Sequence, residues 1–137
     1  AYDIPLNLIE PLGFSLSDRY LKRAGLDYWH LIRLNMYANF GSFKKKKNQK
    51  RILSFSKKNG VLLRNFKFKK KDILLFGRED NGLPDEIIDE CDELISIFMP
   101  NKASDNEEND GVRSLNLSVA CGIALYEAHK QLNKKIT

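Results

Sequence analysis

The side chains with chemistry to offer are concentrated in Gly77-Arg78-Glu79-Asp80-Asn81-Gly82, two glycines enclosing four polar residues. The spacing matches the first half of a phosphate-binding P-loop. The Lys and the Ser or Thr that must follow the second glycine are replaced by Leu83 and Pro84, and Glu79 and Asp80 would repel phosphate. No GxGxxG dinucleotide loop is present. A cationic or neutral ligand therefore suits this loop better than a polyphosphate. Cys91 and Cys121 stand thirty residues apart without metal-ligand neighbours, which reads as two reduced structural thiols. His30 and His129 are equally isolated and read as surface or packing residues, so no metal site is expected.

The loop needs a strand before it and a helix after it. Ile73-Leu74-Leu75-Phe76 is an apolar run long enough for a strand buried on both faces. Gly77 would then let backbone approach a ligand closely. Pro84 suits a first helical position, with Asp85 and Glu86 set against the positive end of the dipole of a helix reaching Glu90. In open α/β sheets such a loop, at the carboxyl end of a strand, is where ligands sit. Two further strands lead into loops: Ile52 to Ser56, followed by a turn at 57–60, and Leu94 to Met99, stopped by Pro100.

Elsewhere, residues 4–9 read as a strand, and Ser17 caps a helix that Gly25 ends. Residues 29–34 read as a strand and Met36 to Lys47 as a helix. Phe66 and Phe68 read as the inward face of an alternating strand within 61–71, with base stacking as their other possible use. Residues 101–111, NKASDNEENDG, are expected to be mobile. Ser114 or Asn116 caps a long helix reaching about Leu132. Its first half is apolar or small nearly all round, which implies burial on both faces or a subunit interface.

A length of 137 residues suggests a single domain. No run of eighteen apolar residues exists and the start is no signal peptide, so a soluble, cytoplasmic protein without membrane contact is expected. Residues 28–71 hold fourteen Lys or Arg and no Asp or Glu, whereas 72–112 hold thirteen acidic residues against Arg78 and Lys102. A block so one-sided is the footprint of a polyanion-binding protein, or else a solvated lysine-rich face. Within it, Lys44, Lys45, Lys46 and Lys47 are the candidate RNA contacts, although lysines closing a helix also complement its dipole.

Three elements in order, LLFGREDNGLP at 74–84, ISIFMP at 95–100 and VRSLNLSVACGIALYEA at 112–128, resemble the SpoU-type RNA ribose 2′-O-methyltransferases of the SPOUT superfamily. With LIEPLGFSLSD at 8–18 and LKRAGLDYW at 21–29, the chain looks most like the small tRNA wobble-position enzymes that modify cytidine or uridine at the first anticodon position. The resemblance implies an α/β fold, an open and mostly parallel sheet with helices on both faces and a C-terminal trefoil knot. It also implies an S-adenosylmethionine pocket at Phe55, Gly77, Ile97, Ser114 and Leu115, and a homodimer packed through the C-terminal helix. By the same resemblance Glu79 orients its loop, Ser114 and Asn116 hold the cofactor and the acceptor side, and Arg113 and Tyr126 are candidates for RNA contact or loop anchoring. A non-catalytic RNA-binding module and a ribosomal RNA methyltransferase are the competing readings.

One departure stands out. Family members open with a strand and an Asn-x-Gly-Asn-x-x-Arg motif whose arginine is the proposed activator of the 2′-hydroxyl, and Ala1 matches the family after that point. The chain is therefore expected to be an N-terminally truncated form of a complete enzyme, with catalysis severely impaired if the motif is truly absent.

Overall fold

Ile52, Leu53, Ser54 and Phe55 are all buried, as a strand needs when it has neighbours on both edges and cover on both faces. In the computed structural model, which describes residues 1–12, 29–100 and 114–133, this strand lies inside a four-stranded parallel sheet. The chain divides into two units, Ala1–Gln49 and Lys50–Thr137.

In the first unit, β1 (Leu6–Ile9) pairs in parallel with β2 (Leu34–Tyr37), Leu6 opposite Leu34 and Ile9 opposite Tyr37. The helix α1 (Phe40–Lys46) is capped by Asn39, whose Oδ1 accepts from the Ser42 amide at 2.8 Å. Phe43 is fully buried and meets the Tyr37 ring edge-on at 5.1 Å. Two expectations are corrected here. Residues 29–31 form a 3-10 turn and the strand begins at Leu34; the helix begins at Phe40, because Asn39 offers the cap and residues 34–37 are held in the ladder with β1. The predicted helix after Ser17 lies outside the described residues.

In the second unit the sheet order is β4 (Val61–Leu62), β6 (Glu93–Ser96), β3 (Ile52–Phe55), β5 (Ile73–Phe76). Its strands are pinned at their amino ends. Arg51 donates to both Asp72 oxygens at 2.9 and 2.6 Å, a bond that holds its guanidinium pKa above the ordinary value, and Asp92 grips Ile52 through amide and carboxylate. Leu53 and Ile95 are fully buried, each side chain stabilising the unit by about 1.5–3 kcal/mol relative to exposure. The strand between Glu93 and Ser96 stops short of the expected Met99.

Phe66 and Phe68 are core residues, meeting edge to face at 5.0 Å, but the alternating strand expected around them is absent. A 3-10 turn at Leu63–Asn65 and a non-strand segment take its place. The backbone groups this leaves are satisfied from the C-terminal helix α3 (Leu117–Leu132): Gln131 accepts from the Phe68 amide and donates to the Phe66 carbonyl, both at 2.9 Å. Ala124 and Ala128 bury one side of α3, while Val119, Ile123 and Tyr126 remain exposed. Among the described residues, full burial is therefore confined to one side of α3. A short helix, α2 (Asp85–Asp89), lies between β5 and β6, with Pro84 as its N-cap and not its first residue. None of the described helices is long and apolar enough to cross a membrane.

Replacing Gln131 with alanine leaves two backbone groups without partners and should cost about 1–3 kcal/mol in urea denaturation. Gln131, followed by Lys130, also holds the Glu127 carboxyl below its ordinary pKa. That contribution to stability is present above the unfolded carboxylate pKa and is lost as pH falls through the lower folded value, so the Gln131→Ala protein should show a weaker loss of stability on acidification.

Candidate active site

Because β3, β5 and β6 run parallel, their carboxyl ends lie together and their exit loops converge. Phe55 and Phe76, opposite each other at the last rungs, stack at 4.7 Å with an interplanar angle of 18°. Beyond them lies a cleft of about 500 Å³. It is lined by the end of β3 with its loop (Phe55 to Lys58), the loop after β5 (Gly77 to Leu83), Ile97 and Met99 beyond β6, and Ser114 to Leu117 with Ala120 at the start of α3.

The β5 loop closes on itself. The Gly82 amide donates to the Arg78 carbonyl at 2.8 Å, and Gly82 takes a positive φ of 65°. A Cβ on Gly77 would lie 2.1 Å from the Gly82 carbonyl carbon, so the first glycine is required by the loop's own backbone. The sequence reading assigned that close approach to a ligand. Arg78 reaches Asp80 with two hydrogen bonds of 3.1 and 3.0 Å, and Asp80 accepts from the Asn81 amide at 2.9 Å. Desolvation works to raise the Asp80 pKa, but the bonds and charge of Arg78 outweigh it and hold the carboxyl below its ordinary value. The bracing of this loop thus comes from Arg78 and Asp80, a pair two residues apart that the sequence reading did not single out. Glu79 is exposed at the rim.

Asn116 is the N-cap of α3, its Oδ1 accepting from the Ser118 amide at 3.0 Å and the Ser118 hydroxyl at 2.6 Å. Ser114, the other proposed cap, lines the cleft instead. All seven positions expected there, Phe55, Gly77, Glu79, Ile97, Ser114, Leu115 and Asn116, surround the one cleft. Ser56, the last residue of a predicted strand, and Lys57 and Lys58 in the turn after it were missed as cleft residues; Lys58 pairs with Asp85 at the start of α2. Lys44, Lys45 and Lys46 form the last turn of α1 and Lys47 its C-cap, with Lys46 5.9 Å from the Tyr37 ring centre. Arg113 lies outside the described residues. Cys91 and Cys121 form no disulfide; the Cys91 thiol donates to the Ile87 carbonyl at 3.2 Å, and burial raises the pKa of Cys121. Among the described residues no group of three or more His, Cys, Asp or Glu could hold a metal ion.

The chain belongs to the SpoU rRNA Methylase family, whose model matches residues 4–126. It is 38% identical to the tRNA (cytidine(34)-2′-O)-methyltransferase of Saccharophagus degradans, over 93% of this chain and 78% of the relative. Among solved structures it resembles one concerned with 2-OH methylation of C/U34 on tRNA, at 41% identity and a TM-score of 0.83, covering 96% of this chain and 81% of the other. It also resembles an AdoMet-bound rRNA methyltransferase from Sinorhizobium meliloti, at 25% identity and a TM-score of 0.68, covering 93% and 46%.

Removing the cap by Asn116→Ala should cost about 0.5–2 kcal/mol. Denaturation measured with and without Ser118→Ala checks it: the second substitution should add little once Asn116 is gone, since both bonds end on the same oxygen.

Proposed function

We propose that this protein transfers the methyl group of S-adenosylmethionine to a ribose 2′-hydroxyl in tRNA, at the wobble cytidine or uridine. The observation that carries this reading is the single cleft uniting the ends of β3, β5 and β6 with the start of α3, in a chain similar over most of its length to enzymes of that activity.

The cleft suits the cofactor. Phe55, Ile95, Ile97 and Leu115 offer an apolar floor for an adenosine, the 77–82 backbone offers polar groups, and the carboxylates of Glu79 and Asp80 tolerate a positive charge. S-adenosylmethionine held there supplies an electrophilic methyl group. With the cofactor held there, the part left to the chain's own residues would be to align the ribose hydroxyl with the methyl group on one line and to exclude water. Phe55, Gly77, Ile97, Ser114 and Leu115 are assigned to the cofactor, Glu79 to orienting the rim of its loop, and Ser114 and Asn116 to the acceptor side. Since the Asn116 Oδ1 is committed to the helix cap, its Nδ2 is the atom free to donate toward a ribose or phosphate oxygen.

Lys44 to Lys47 are assigned to the RNA backbone, and Arg113 to RNA contact. A homodimer packed through α3 belongs to the same reading: it would cover Val119, Ile123 and Tyr126, which the chain leaves exposed. So does a C-terminal trefoil knot. A single catalytic domain working in the cytoplasm, where tRNA is modified, completes the assignment.

Unmodified tRNA incubated with the protein and S-adenosylmethionine should yield 2′-O-methylcytidine or 2′-O-methyluridine from position 34 by nucleoside mass spectrometry. Methylation on base atoms, or on ribosomal RNA alone, would overturn the assignment. Gly77→Ala, which forces the loop apart, should weaken S-adenosylmethionine binding at least about tenfold by calorimetry, a loss of about 1.4 kcal/mol. Changing Lys44 to Lys47 to glutamate should weaken tRNA binding, reduce its salt dependence and spare cofactor affinity.

A further inference from the structure

Phe98 stands between Ile97 and Met99, both of which line the cleft, yet it is itself 62% exposed. It is the one exposed phenylalanine among the described residues. The guanidinium of Arg64, on the 3-10 turn Leu63–Asn65 that follows β4, lies 5.7 Å from the centre of its ring. An exposed aromatic side chain gains little from the core, and a single one would need no account. This one is held by a cation, immediately beside the cleft, in a stretch where Arg64, Lys67, Lys69, Lys70 and Lys71 are exposed and no acidic residue occurs between 28 and 71.

Aromatic rings and guanidinium planes are the two side-chain surfaces on which unpaired RNA bases stack, and each stacked base contributes enough to matter when removed. We infer that Phe98 and Arg64 form a stacking platform for a nucleobase of the RNA acceptor, next to the nucleotide whose ribose enters the cleft. The inference rests on the RNA-modifying reading of that cleft. It explains why a large apolar ring stays in water beyond the strand end nearest the site, with a guanidinium beside it. The surrounding basic segment suits the phosphates of an RNA. Stacking is tolerant of base identity, so the platform would orient the acceptor loop without selecting its sequence.

The test compares Phe98→Ala, Phe98→Trp and Arg64→Ala with the unaltered protein. It measures binding of an unmodified anticodon stem-loop RNA by anisotropy, binding of S-adenosylmethionine by calorimetry, methyl-transfer kinetics, and mass in solution. Phe98→Ala should raise the RNA Kd and KM by roughly five- to a hundredfold and leave cofactor affinity within about twofold. Phe98→Trp should retain RNA affinity, and its emission should be quenched by RNA beyond the signal of Trp29, the chain's only other tryptophan. Arg64→Ala should fall between the two. If the unaltered protein methylates RNA while Phe98→Ala binds it equally well, or if Phe98→Trp is unquenched, the platform is overturned and the enzymatic reading stands. A Phe98→Ala protein of altered oligomeric state with unchanged RNA affinity would assign the ring to a protein interface and likewise overturn it. An unaltered protein that neither binds nor methylates RNA would remove the functional reading and the platform with it.

Discussion

The parallel register of β6, β3 and β5 is the constraint on which the rest of this protein depends. Parallel pairing forces successive strands to end on the same edge, so the polar segments that follow them converge whether or not their sequences have anything in common. Two features fix the register. Arg51 with Asp72 and Asp92 with Ile52 hold the amino ends, and the stacked rings of Phe55 and Phe76 close the carboxyl ends. A slip of one residue would turn Leu53 and Ile95 out of the core and separate those pairs. The cleft is thus a consequence of strand pairing, and its shape is set before any ligand contributes.

Within that frame the cleft is walled by four segments, one of them a loop whose shape depends on its own backbone. The β5 loop is closed by the absence of a side chain at Gly77, by the left-handed Gly82 and by the Arg78–Asp80 brace. The fourth wall comes from α3, which is tied at its far end by Gln131 to the segment of Phe66 and Phe68 and begins at the Asn116 cap beside the cleft. One helix therefore joins the core to the site, and loosening either end should be felt at the other. In the proposed reading the acidic loop would meet the cationic donor and the lysines of α1 the RNA phosphates, so that different parts of the chain would recognise donor and acceptor.

The elements around the cleft were legible because each carries a local signal: the apolar run 73–76, the glycine pair 77 and 82, the strand 52–55, and the Asn116 cap with its long helix. The motifs supplied the family, and the geometry drew the seven expected cleft positions together. What could not be read is non-local. Residues 61–71 looked like an alternating strand because Phe66 and Phe68 do face the core, but their backbone partners lie on Gln131, more than sixty residues away. Residues 29–31 lost their strand to a turn because the ladder with β1 starts at Leu34. The reason for Gly77 was also hidden, since nothing in the sequence tells that the loop folds back to within van der Waals distance of its own start.

The central claim is that these converging loops form the S-adenosylmethionine site. A crystal structure of the protein with S-adenosylmethionine tests it most directly. The account predicts the adenosine over Phe55, Ile97 and Leu115, bounded by the Gly77–Gly82 loop, with the sulfonium methyl facing the Asn116 side. Cofactor density elsewhere on the molecule, or a cleft left empty at saturating cofactor, would contradict it.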